Sequence, residues 1–173
     1  MIVNKYHNKF LRAIRLDDSD AQVYQVAAQP GEWAIPGTFT FWDVEPAVLS
    51  GKARQAFLHG FLGIGSFGWS TLVMIAPISP EELDTITIQL ARHLVEHFGA
   101  PDIETALPAA REEIDFTVNL CEHDLHTMLA MDREYNDNEI TENFKIIHPP
   151  DGVDHSGLRL WGADPEGVIR PKP

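Results

Sequence analysis

Cysteine is almost missing: Cys121 is the one thiol in 173 residues. A single thiol closes no disulfide within the chain and builds no cysteine-based zinc cluster, so nothing indicates an oxidising compartment. Basic charge is scarce too. Thirteen Lys and Arg stand against 26 Asp and Glu, for a formal charge of −13 and a pI near 4.8. Nucleic acid and anionic membranes are bound through a basic footprint, so neither is expected as a partner. Residues 1–10 have no apolar core and no small-residue cleavage site, which sets aside a signal peptide and favours the cytoplasm. One long uncharged run exists, 26 residues between Arg54 and Glu81 without Asp, Glu, Lys or Arg. His59, four glycines (Gly60, Gly63, Gly65, Gly68) and Pro77 interrupt it. A helix end, a glycine-rich turn and a buried strand explain it better than a membrane span.

What is present suits one soluble core. Hydrophobic residues make up 44% and charged residues 23%, enough apolar surface for a globular domain. Residues 1–148 are read as a single α+β domain and 149–173 as a tail or strap. That tail holds five prolines and four glycines in 25 residues, too many for long regular structure. Leu158, Leu160 and Trp161 nevertheless make it apolar, so they are candidates for contact with a partner protein or a second copy.

Alternation of apolar and polar residues predicts strands over 10–16, 22–27 and 38–44, joined by polar turns as a meander. Helical spacing follows at 46–61, then a nearly all-apolar strand at 70–76. The clearest element is a helix over 80–98. Ser79 caps it, Pro80 occupies its first turn, Glu82 completes a capping box, and Gly99 and Pro101 stop it. Residues 102–121 match both periods, and the longer helical match is preferred. Residues 125–133 and 139–147 form a hairpin across 135–138, rich in residues that accept the left-handed region. The expected architecture is an antiparallel sheet of five or six strands with about three helices on one face.

Five constellations bear on chemistry. Gly63, Gly65 and Gly68 match G-x-G-x-x-G, but a helix precedes them and a strand follows, the reverse of the dinucleotide context. A glycine-rich loop packed under Phe61, Phe67 and Trp69 is the preferred reading. His93 and His97, with Glu96 between them, fit H-x-x-E-H on the best helix, where two imidazoles one turn apart share a face. Cys121, His123 and His126 form a second cluster of metal-ligand types. Zinc or another divalent transition metal is the cofactor these five residues would hold, and otherwise none is expected. Against it, no further ligand stands at recognisable spacing, and a buried thiol beside solvated histidines accounts for the second cluster. Glu112 and Glu113 are adjacent, point apart on a helix, and read as a solvated face. Phe39, Phe41, Trp42 and Trp69 would line a small-molecule pocket or an ordinary aromatic core, which the sequence does not separate.

The strings Gly31-Glu32-Trp33, residues 51–57 (GKARQAF), residues 99–102 (GAPD) and residues 109–113 (AAREE) resemble a family of small proteobacterial proteins of unknown function. The resemblance spans 10–147 and leaves the tail unmatched. It implies a bacterial cytosolic accessory protein, connected with maturation of cofactor-dependent redox enzymes, and it carries over no catalytic residue. The function expected is therefore a non-enzymatic accessory or protein-interaction domain. The alternative is a metal-dependent enzyme or metal carrier using His93 and His97.

Overall fold

The computed structural model describes residues 9–15 and 19–147, and the backbone of 161–163 and 169–171. Seven strands pair antiparallel in the order β4-β3-β2-β1-β5-β6-β7. They are β1 (Lys9–Ile14), β2 (Trp33–Ile35), β3 (Phe61–Gly63), β4 (Trp69–Ser70), β5 (Leu72–Pro77), β6 (Met128–Asn136) and β7 (Glu139–Ile147). Two further strands, β8 (Trp161–Ala163) and β9 (Ile169–Pro171), pair only with each other. The helices are α1 (Ser19–Val23), α2 (Gly51–His59), α3 (Pro80–His97) and α4 (Ile103–Leu120). The α+β class holds, with more strands and one more helix than the sequence led us to expect.

Register divides the sheet into two apolar faces. Leu11 lies opposite Ala34 and Ile75, and Val73 opposite Ala13 and Leu129. These residues share one face and pack with Phe61, Met131 and Cys121. The alternate residues Phe10, Ile35 and Ala76 meet Ile86, Leu90 and Leu94 of α3 and Ala106, Ala110 and Ile114 of α4. Each large aliphatic side chain buried there contributes about 1.5–3 kcal/mol. α2 packs elsewhere, against β6, through Ala56 and Phe57. So the three long helices do not share one cluster. The sheet also curls back on itself. The rings of Phe61 on β3 and Phe144 on β7 lie 6.2 Å apart although four strands separate β3 from β7 in the order.

Local chemistry explains where expectation and structure agree. Ser79 Oγ accepts from the Glu82 amide and the Glu82 carboxylate accepts from the Ser79 amide, closing the capping box of α3. Asp102 caps α4 by accepting from the Thr105 amide at 2.8 Å, and residues 103–120 are helix throughout. The β6–β7 hairpin turns on Asp137 and Asn138, whose φ angles of 53° and 65° give the two left-handed residues that a tight two-residue turn needs.

Three expected elements are different. Residues 22–27 are not a strand: α1 occupies Ser19–Val23 and buries Asp20, which accepts from the Thr71 hydroxyl at 3.1 Å. Residues 38–44 are a 3-10 turn (Thr38–Phe41) and its exit, because Phe39 and Phe41 fill separate aromatic clusters instead of one sheet face. The helix expected over 46–61 is a short 3-10 turn at Pro46–Val48 followed by α2, and it ends before the strand β3. The meander accordingly gives way to a sheet in which β1 pairs with β2 on one side and β5 on the other. Leu158 and Leu160 lie outside the described residues, and Trp161 belongs to β8.

Candidate functional site

The glycine-rich loop between β3 and β4 is already filled. Glu32 places its carboxylate in it, accepting from the Ser66 amide at 3.0 Å and the Ser66 hydroxyl at 2.7 Å. A Cβ on Gly63 would come within 2.3 Å of that carboxylate, and one on Gly68 within 2.5 Å of the Ala27 backbone. The glycines therefore admit the chain's own carboxylate and a neighbouring strand of backbone. The loop packs closely, as expected, but against Glu32 and the Ala27 backbone at Gly63 and Gly68, and its Ser66 and Gly68 amides are engaged within the chain.

His93 and His97 are neighbours, as their spacing requires, with ring centroids 4.9 Å apart. The His93 ring, however, stacks flat on Phe67 at 3.7 Å and touches Phe98 at 5.4 Å. Burial and then the neighbouring His97 hold its pKa down at about 4, so it is a neutral ring in an aromatic row. Cys121 is buried beside Leu11, Val73 and Leu129, and burial pushes its thiol up to about 12. His123 and His126 are exposed. Among the described residues, no three His, Cys, Asp or Glu side chains come together as a metal site, so the two clusters do not join. Also among the described residues, no helix is long and apolar enough to cross a membrane.

The aromatic row continues. Phe98 meets Phe39 at 5.1 Å, and Phe39 meets Trp42 at 6.4 Å, both edge to face. It ends at a cleft of about 450 Å³ bounded by the 3-10 turn, α4 and the β6–β7 hairpin. Its walls carry Phe39, Trp42, Phe116 and Tyr135, and its acids are Glu113 and Glu142. A second cleft of about 400 Å³ shares Phe39, Trp42 and Glu113 and adds Glu112 and Asp43. Trp42 is 70% exposed, and Phe116 is 43% exposed.

Each acid is placed by identifiable chemistry. Glu113 and Phe116 stand three residues apart on α4 and so share a face. Burial pushes the Glu113 carboxyl up to about 7, with the charges of Glu142 and Glu112 adding to the rise. Glu142 lies directly opposite Arg133 in the β6–β7 ladder. Between their head groups sits the Thr38 hydroxyl, which accepts from Arg133 Nε at 2.8 Å and donates to Glu142.

Arg133 itself is 1% exposed. It donates to the carbonyls of Ala56 (3.1 Å) and Phe57 (2.8 Å) in the last turn of α2, and to the Pro36 carbonyl. A cation at a helix C-terminus meets the negative end of the helix dipole. Its guanidinium also lies 5.2 Å from the Phe41 ring. Burial lowers its pKa to about 10, which leaves it charged at neutral pH. One buried arginine thus ties α2, the loop after β2 and the hairpin together, and orients Glu142 through Thr38.

Phe39, Phe41 and Trp42, considered at the outset as pocket lining, do line this cleft, while Trp69 stacks behind Phe41 at 5.3 Å. Glu113 corrects the reading of residues 112 and 113 as a solvated face, because it is half-buried against the hairpin. The one local signal that could have found it is its i,i+3 relation to Phe116, and the partner surface comes from Glu142, far along the chain. Among known proteins, a family of unknown function, DUF6505, matches residues 8–158. No curated protein matches, and no solved structure matches.

Proposed function

The chain belongs to the DUF6505 family, whose function is unknown, and we propose that it is a non-catalytic accessory domain whose cleft at Trp42 and Glu113 receives a protein partner. One observation carries this: an indole 70% exposed stands at the mouth of a cleft and meets the buried Phe39 ring edge to face. An aromatic ring left in water beside a cleft is the usual anchor of a recognition surface. Opposed to it are carboxylates without an evident reaction to perform. The resemblance to a family of unknown function, taken to imply a cytosolic accessory role, makes a redox enzyme undergoing maturation the first partner to examine. Self-association through the tail, at Leu158, Leu160 and Trp161, is a separate contribution to the same role.

The test is a photo-crosslinking side chain placed at position 42 in cells, with one at Ile88 on α3 as control. Ile88 is also exposed, at 42%, but lies outside the cleft. A discrete adduct from position 42 and none from position 88 supports the proposal. Equal adducts from both positions, or none from position 42, refute it. The metal alternative, zinc or another divalent transition ion on His93 and His97, has no third ligand to support it among the described residues. Metal content of untagged protein, compared with a H93A/H97A variant, checks it directly.

A further inference from the structure

We propose that the group this cleft receives is a guanidinium, the side chain of an arginine exposed on the partner; this rests on the reading of the cleft as a partner site. Three features of the geometry lead there. First, Glu113 and Glu142 lie in the first cleft and Asp43 and Glu112 in the second, and among the described residues no Lys or Arg lines either. Second, the nearest internal cation is spent. Arg133 directs its donors to Pro36, Ala56, Phe57 and Thr38, and reaches Glu142 only through the Thr38 hydroxyl. It orients that carboxylate and offers Glu113 no hydrogen bond.

Third, the walls are aromatic. Trp42, Phe39, Phe116 and Tyr135 line the first cleft, and cations are drawn to aromatic rings by the ring quadrupole. A planar guanidinium can lie on an indole and still donate two parallel hydrogen bonds to a carboxylate, whereas an ammonium is compact and more strongly hydrated. The combination of flat aromatic wall and oriented carboxylate therefore favours arginine over lysine. A neutral apolar ligand would leave Glu113 and Glu142 desolvated without compensation. An anion would be repelled by both.

Proton balance adds a second signature. Glu113 faces Glu142 from β7 and Glu112 on its own helix, with Tyr135 of the hairpin and Asp43 of the loop lining the same clefts. All the charged groups in that set are acidic, so an entering cation releases whatever proton Glu113 holds. Binding accordingly tightens as pH rises from 6 to 8.

The experiment titrates the full chain with N-acetyl-arginine methylamide, its lysine counterpart and its citrulline counterpart, following the Trp42 indole N–H by NMR at pH 6 and pH 8. Citrulline keeps the shape and loses the charge. The arginine probe is expected to shift the Trp42 signal saturably, the lysine probe to bind several-fold more weakly, and citrulline not to bind. Loss of one charged hydrogen-bond partner in E113Q or E142Q is expected to weaken arginine binding by about tenfold or more at pH 8.

Equal binding of citrulline, arginine binding unchanged in both variants, or no saturable shift overturns the proposal. Lysine binding as tightly as arginine overturns the guanidinium preference. If the crosslink at position 42 persists while the arginine probe fails, the cleft still serves a partner and only its ligand chemistry is wrong. Loss of both removes the cleft reading as well.

Discussion

Replacing Glu113 by Gln should make the protein more stable, with a gain that grows from about pH 4.5 and is complete above about pH 7. The carboxyl of Glu113 is pushed from the ordinary 4.5 up to about 7, first by burial and then by Glu142 and Glu112. In the window between those values the native state holds a proton that the unfolded chain has released. Stability therefore falls as pH rises through the window, and the full penalty is present above about 7. Each tenfold change in proton affinity is worth about 1.4 kcal/mol, so the penalty is at most about 3.5 kcal/mol. Solvent reaches the cleft and screens the neighbouring charges, which reduces it to about 1–2 kcal/mol. Glutamine keeps the shape without the charge. Urea unfolding followed by tryptophan fluorescence should place E113Q about 1–2 kcal/mol above the parent at pH 8, with the gap closing by pH 4.5. A variant less stable than the parent at pH 8, or a gap independent of pH, would refute the reasoning.

Arg133→Met removes the donors to three carbonyls and should cost about 3 kcal/mol or more in urea unfolding, because the buried Phe57 and Pro36 carbonyls lose a charged donor, while that of Ala56 keeps the Gly60 amide. Arg133→Lys should recover only part of it, since one ammonium cannot span α2, Pro36 and Thr38 together. Gly68→Ala should destabilise more than Gly63→Ala by about 1 kcal/mol or more, because its Cβ meets Ala27 backbone while that of Gly63 meets a side chain able to swing away; equal losses would show that the backbone there yields. Cys121, with its thiol at about 12 and buried, should react with a disulfide reagent at pH 8 at least about a hundredfold more slowly in the native chain than in urea.

How far the sequence could be read follows from the range of the forces involved. The capping box at Ser79 and Glu82 and the turn at Asp137 and Asn138 are decided within four residues, and both were legible. The 102–121 helix was legible because its apolar spacing outlasts the competing alternation. Residues 38–44 misled because Phe39 and Phe41 alternate for a reason other than a strand. One ring is drawn to Phe98 and the other to Phe57 and Trp69, contacts set by elements distant in sequence. His93 fits a metal pattern by spacing alone, and the neighbour it stacks on is Phe67, which no spacing rule relates to it. Glu113 is the most telling case. Its burial depends on the β6–β7 hairpin curling toward α4, and sheet curl is a property of the assembled strands.

Two departures from ordinary packing fall at the same place. Trp42 leaves its indole in water, and Glu113 sits in a desolvated, like-charged setting that lowers stability at neutral pH. Elsewhere α3 and α4 carry side-chain caps, Glu32 occupies its own loop, and Arg133 is surrounded by acceptors, while Phe67 holds a left-handed φ of 54° and Val48 is 75% exposed. What sets the cleft apart is that an exposed indole and a strained carboxylate lie side by side there, which points to a gain outside folding. The two variants that test this should then separate. E113Q should gain stability at pH 8 and lose the arginine probe, whereas Arg133→Met should lose stability first and affect the probe only through the freed Thr38 and Glu142. If instead E113Q kept full affinity, the strain at Glu113 would be unrelated to binding, and the cleft would owe its shape to packing alone.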